Sequence, residues 1–457
     1  MSKQAAQNTT NQITEGVIWK QLLIFFFPIL FGTFFQQLYN TADAIIVGNF
    51  VGKEALASVG GSASTIINLL VGFFVGLSSG ATVIISQYYG ADNRRRVSDS
   101  VHTAIALAIA GGVVIMLLGL VSARFALTAM GTPDDILSLS LTYMKIYYLG
   151  TIPSMIYNMG SGILRAVGDS RRPFYFLLVS AVLNTGLDLL FVLKFGMGVE
   201  GVAYATIIAQ AVSALLTVWV LLRAEGCIRL ELRALRMTWS VLKQIVAVGI
   251  PAALQMAVTA FSNVFVQGYI NYFGADCMSG WTAYTKVDQL VILPVQSISM
   301  AGTTFVGQNL GVGDTPRAKK GVRTALYLSF AVTAVLLVPV LLLAPELTAF
   351  FNQKPEVVSY GALLLRLLSP FYFFFCINQV YSAALRGAGN SQVPMWIMLG
   401  SFVVFRQIYL FVVANYVANE IIPIALSYPA GWFLCSAATL IYYSRCRFDK
   451  HRLVEDV

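Results

Sequence analysis

Three carboxylates occupy costly positions in this chain: Asp43, Asp188 and Asp288 all lie inside long apolar stretches. An ionised Asp near the centre of a bilayer costs about 2.5–3.5 kcal/mol, so each needs water, a partner, a cation or a proton. Asn184 and Asp188 stand four residues apart and therefore share one helix face. Asp188 precedes Lys194 by six residues, about 9 Å at helical rise. Thr206, in the next stretch and running the opposite way, returns to a similar depth. Two carboxylates, an amide oxygen and a hydroxyl make an oxygen-rich set, suited to a hard cation such as Na⁺ or to two acids sharing a proton. The alternative is a structural pair neutralised by Lys145. Asp288 follows Lys286 by two residues and has three readings: a second site, an ion pair with Lys286 or Arg366, or a contact for a cationic substrate. Gln36, Tyr39, Asn40, Gln255, Lys286 and Asn378 are further polar side chains within apolar stretches, where such groups usually face a cavity, and they are the expected lining of a substrate cleft.

The elements that hold these residues are membrane spans. Of 457 residues, 57% are apolar and only 11% charged, and mean hydropathy is +0.74. A soluble domain carries roughly a quarter of its residues as charges, so a soluble enzyme, a disulfide scaffold and a disordered chain are all excluded. Twelve stretches are long enough to cross a bilayer: 22–47, 57–85, 101–121, 137–159, 174–195, 199–222, 241–270, 280–305, 325–344, 357–381, 394–416 and 421–443. The predicted class is an all-α polytopic membrane protein. Of the 30 basic residues, 22 lie in the tails and even-to-odd connections and four in the odd-to-even ones. That bias predicts cytoplasmic termini in a cytoplasmic (inner) membrane. The connection around Leu230, Leu232, Leu235 and Trp239 is basic and amphipathic, and is expected to lie along lipid headgroups. No cleavable signal is evident, five cysteines show no paired spacing, and the Asn8 acceptor sits in the polar tail. Only His102 and His451 are present, with no phosphate-binding or hydrolase motif, so neither an enzyme nor ATP drive is expected, nor any cofactor or nucleic acid.

A shift of 221 residues superimposes the two halves. Gln87 to Gly90 meets Gln308 to Gly311, and Leu164-Arg165, Gly168-Asp169-Ser170 and Pro173 meet Leu385-Arg386, Gly389-Asn390-Ser391 and Pro394. Lys145 meets Arg366, and Pro28 meets Pro251 after a small slip. Six spans per half, an even number, relate the copies by an axis along the membrane normal. The expected organisation is a tail (1–20), a six-helix bundle (21–222), a linker (223–240), a second bundle (241–443) and a tail (444–457).

This duplicated layout, the paired loop motifs and Asp43 in a Tyr-Asn-Thr-Ala-Asp-Ala-Ile-Ile-Val-Gly context resemble the multidrug and toxic compound extrusion (MATE) family over nearly the whole chain. The resemblance implies a cation site in the first bundle at Asp43, Asn184, Asp188 and Thr206, with Asn158 from the fourth span, and a first span that bends at Pro28. It also implies an antiporter, driven by H⁺ or Na⁺, that exports cationic or amphiphilic small molecules by alternating access, expected as a monomer among membrane lipids. A lipid-linked precursor flippase of the same superfamily is the alternative, since Lys145, Lys286, Arg366 and Arg406 fall inside spans. The second bundle has Phe405 and Tyr409 where the first has Asn184 and Asp188, so the cation site is expected in one bundle only.

Overall fold

Hydrocarbon offers no hydrogen bonds, so a chain this apolar must satisfy its backbone within helices. The computed structural model describes residues 13–448 and is helical throughout them, with no strand among the described residues. Asn8 and His451 lie outside the described residues. In chain order the helices are α1 Ile18–Ile46, α2 Lys53–Gly60, α3 Ser62–Gly90, α4 Arg94–Ala129, α5 Asp134–Leu149, α6 Thr151–Ala166, α7 Arg171–Leu189, α8 Val199–Arg223 and α9 Trp239–Asn271. They continue as α10 Ala275–Val312, α11 Thr315–Leu342, α12 Ala344–Ala349, α13 Pro355–Leu368, α14 Tyr372–Gly387, α15 Gln392–Met398, α16 Arg406–Val412, α17 Ile421–Ala425 and α18 Ser427–Arg445.

Among the described residues, eleven helical runs are long and apolar enough to cross a membrane. The twelfth span is the fourth in sequence, which the structure divides at Gly150 into α5 and α6. Pro153 sits in the first turn of α6, where its missing N–H would have no helical acceptor in any case. The 221-residue shift carries Gly150 to Phe371, and there the tenth span is also interrupted, by a tight turn at Ser369–Phe371 around Pro370.

The repeated loop motifs are helix stops and starts. Gly168 and Gly389 both have positive φ (98° and 91°), a region open to glycine at little cost. In each copy the following residue returns its N–H to a carbonyl five back: Asp169 to Leu164 O and Asn390 to Leu385 O, both at 2.9 Å. Its side chain then caps the next helix, Asp169 Oδ1 accepting from Arg171 and Arg172 N, and Asn390 Oδ1 from Val393 N. After α3 and α10 the matched caps are Asn93, accepting from Arg96 N, and Asp314, accepting from Arg317 N.

The chain forms two compact units, and it passes between them inside helices: Phe31–Ala253 is one, and the described residues up to Leu30 join those from Leu254 onward in the other. The first crossing falls two residues after Pro28, the second two residues after Pro251. In the 31–253 unit α3 is the most enclosed span; in the other it is α10, its partner in the repeat. α3 reaches that position through Gly76-Leu77-Ser78-Ser79-Gly80, a small-xxx-small face against α9. A Cβ on Gly76 would lie 2.3 Å from Ala253 Cα, and one on Gly80 2.4 Å from Ile245 O.

The linker is docked rather than loose. His102 Nε2 accepts from Glu231 N at 3.0 Å while Nδ1 bonds Ser98 O at 2.7 Å, Thr103 Oγ1 accepts from Thr238 N, and Arg236 pairs with Asp99 at 3.1 Å. His102 is therefore a linker anchor. Leu230 is buried, while Leu232 and Trp239 remain exposed.

Candidate cation site

Within the 31–253 unit, α1, α5, α7 and α8 each bring oxygen atoms to one buried region. Asp43 lies on the last turns of α1 and Asp188 at the end of α7; both are buried, Asp188 completely. The two carboxyl groups lie close enough to influence one another electrostatically. Asn184, one turn before Asp188, points its Nδ2 at Thr206 Oγ1 on α8, 3.5 Å away. Thr206 in turn donates to Val202 O at 2.9 Å, which leaves its lone pairs free to accept. Asp43, Asn184, Asp188 and Thr206 are thus brought together.

The fifth expected residue has a hydrogen-bond partner on its own helix. Asn158 is on α6, beyond the break at Gly150, and its Nδ2 bonds Ser154 O of its own helix at 2.8 Å. Tyrosines complete the surroundings. Tyr143 lies in electrostatic reach of both Asp43 and Asp188, and Tyr39 and Tyr147 of Asp43. Gln210 on α8 reaches Tyr147 Oη at 3.5 Å. Spacing could have flagged two of these: Tyr143 and Tyr147 are one turn apart on α5, as are Thr206 and Gln210 on α8.

Five buried oxygens here have no hydrogen-bond partner among the described residues: Asp43 Oδ1, both carboxylate oxygens of Asp188, Asn184 Oδ1 and Gln210 Oε1. Each such group costs about 1–3 kcal/mol, more where it is charged. Lys145 does not neutralise the acids: it is exposed, and neither Asp takes part in any ion pair among the described residues. Acceptors gathered without donors fit a small hard cation or a proton, either of which would convert their mutual repulsion into shared coordination.

The other unit differs in kind. Asp288 accepts hydrogen bonds from Tyr284 Oη at 3.4 Å and from Tyr372 Oη, rather than pairing with Lys286 or Arg366. Arg406 is buried, stacked 4.4 Å from the Tyr428 ring and 4.8 Å from Phe402, with Nη1 bonded to Ser262 and Asn263. Two residues expected to line a cleft are committed inside this unit. Gln255 bonds Ser391 O and Arg386, and Asn378 accepts from Ser382 and Cys435. Lys286 and Asn40 are exposed.

Comparison with known proteins decides the family. The MatE family model matches the chain twice, at residues 28–190 and 251–412. The chain belongs to the MatE family. Among curated relatives, the probable multidrug resistance protein YoeA of Bacillus subtilis is 26% identical over 441 residues, covering 95% of each chain. The probable multidrug resistance protein NorM of Thermotoga maritima is 27% identical over 441 residues, covering 96% of this chain and 94% of its own. A MATE crystallised in its bent conformation superimposes with a TM-score of 0.89 at 22% identity, over 95% of this chain and 96% of that one. A MatE protein with this architecture is a multi-pass membrane transporter of small molecules, of the multidrug efflux type.

Proposed function

We propose that this MatE protein is an antiporter in which Asp43 and Asp188 alternately load and release H⁺ or Na⁺ to drive export of cationic or amphiphilic small molecules. The observation that carries this reading is the set of five unpartnered buried oxygens around two adjacent carboxyl groups with no internal cation. Loaded from the outer side, the pair becomes neutral or shares a cation, which weakens the attraction for a cationic substrate held nearby, and the substrate leaves. The loaded state then reorients and gives up its ion to the cytoplasm, with Asn184 and Thr206 supplying neutral oxygens that fix where the ion sits.

For a neutral substrate the membrane voltage is enough. One charge moving through 100 mV releases about 2.3 kcal/mol, and each tenfold substrate gradient costs about 1.4 kcal/mol. One ion per neutral substrate therefore sustains a gradient of some tens-fold from voltage alone. A lipid-linked precursor flippase would want an open basic cleft, whereas Arg406 is spent on Tyr428, Phe402, Ser262 and Asn263. The test is efflux of a fluorescent organic cation from proteoliposomes under imposed pH or Na⁺ gradients. Asp43→Asn and Asp188→Asn should each lose gradient-driven efflux while still binding the dye; gradient-driven efflux at the wild-type rate in both would end the proposal.

A further inference from the structure

We infer a phospholipid site on the flank of the unit that contains α10, centred on Arg366. A cleft of about 530 Å³ opens there between the start of α12 and one face of α13, lined by Pro345, Pro355, Val358, Ser359, Leu363 and Arg366. The cleft is apolar apart from Ser359 and the Arg366 guanidinium.

Arg366 lies eleven residues into α13, deep enough to be costly, yet its Nε donates to Leu341 O at 3.3 Å, in the last turn of α11. The guanidinium is therefore directed toward the end of α11. Long basic side chains inside a span reach outward in this way by snorkelling. Its flank faces hydrocarbon: α11 is the least enclosed of the candidate spans, and Val335, Val338 and Leu342 are exposed along it. No carboxylate pairs with Arg366 among the described residues, although Glu346 and Glu356 stand at the starts of the two helices that frame the cleft. One N–H edge is used by a carbonyl, and the guanidinium fork still offers Nη1 and Nη2 to a phosphate, the group whose geometry it matches. Val358 and Leu363 then provide an apolar wall for the acyl chain that must accompany that phosphate.

The repeat supplies a second observation. The matching position in the first half is Lys145, also basic and also exposed on its helix. A cation retained at the same place in both halves, outside both polar interiors, has a phosphate at the bilayer surface as its natural partner. Free phosphate would not use the apolar wall, and a phosphate-free lipid would not use the guanidinium.

The experiment is native mass spectrometry of the full-length protein released from detergent micelles. The probes are phosphatidylglycerol, diacylglycerol with the same chains, and glycerol 3-phosphate. Wild type should retain phosphatidylglycerol over diacylglycerol, and glycerol 3-phosphate should not displace it. Arg366→Gln should weaken retention roughly tenfold, the size of one lost charge-assisted contact, and Arg366→Lys should restore part of it. Ser359→Trp, which fills the cleft and keeps the charge, should lose as much as Arg366→Gln. Lys354→Gln, which removes a nearby cation already paired with Asp276 at 3.0 Å, should change nothing. Wild-type retention in both Arg366→Gln and Ser359→Trp, equal retention of diacylglycerol, or displacement by glycerol 3-phosphate would each overturn the site.

Discussion

Replacing Asp188 by Asn should make the protein more stable while disabling it. In the structure both Asp188 oxygens and Asp43 Oδ1 are buried without a donor. Asn is nearly isosteric and brings an NH₂ group to the same place, so it can donate to Asp43 and remove one of two like charges. A hydrogen bond to a charged acceptor contributes about 1.5–3 kcal/mol. At roughly 2.1 cal/mol/K of unfolding entropy per residue, a chain of 457 residues gains about 2 °C in midpoint for each 2 kcal/mol. Asp188→Ala supplies no donor and leaves a cavity, so it should not share the gain. The assay is thermal unfolding in detergent at neutral pH and low Na⁺, followed by intrinsic fluorescence. Wild type should gain midpoint on addition of the coupling ion, and Asp188→Asn should not. If Asp188→Asn melts below wild type to the same extent as Asp188→Ala, the carboxylate is holding the fold together, and the reasoning from unpartnered oxygens is wrong.

Four further outcomes follow from the packing. Gly80→Val should cost about 3 kcal/mol or prevent folding, because the new Cβ meets backbone of α9 rather than a movable side chain. Gly268→Ala, where a Cβ meets nothing within 4 Å, should stabilise by about 0.5–1 kcal/mol, and comparing their unfolding midpoints checks both. Pro28→Ala restores an amide hydrogen inside α1 beside the crossing between units, so folding should be kept while efflux turnover falls; unchanged turnover would remove any role for a bend there. His102→Phe strands Glu231 N–H and should cost about 1–3 kcal/mol, seen as faster hydrogen exchange over residues 226–238.

Much of this was legible in the sequence, for identifiable reasons. Asp43, Asn184, Asp188 and Thr206 could be placed together because helical rise converts spacing into depth, and a carboxylate inside hydrocarbon is too costly to be incidental. The repeated Gly-Asp-Ser and Gly-Asn-Ser turns announced the duplication because a positive-φ glycine and an Asx cap depend on local sequence. Tyr143 and Tyr147 were not foreseen: aromatic residues at helical spacing normally signify packing, and their hydroxyls matter only once Asp43 and Asp188 are located in space. Asn158 sits on α6, beyond the break at Gly150, and a depth count along one straight span does not allow for such a break. Gln255 and Asn378 looked like cavity residues, yet polar side chains also close loops and join helices, and the sequence does not distinguish an amide facing water from one bonded to Ser391 O or Cys435.

The most direct measurement is of the ion itself. Radiolabelled Na⁺ binding, together with proton release or uptake on the same detergent-solubilised samples, should show one exchangeable cation per wild-type chain and none in Asp43→Asn or Asp188→Asn. Lys145→Gln should behave as wild type. The same bound ion in all four proteins would contradict the claim that these two acids form the loading site.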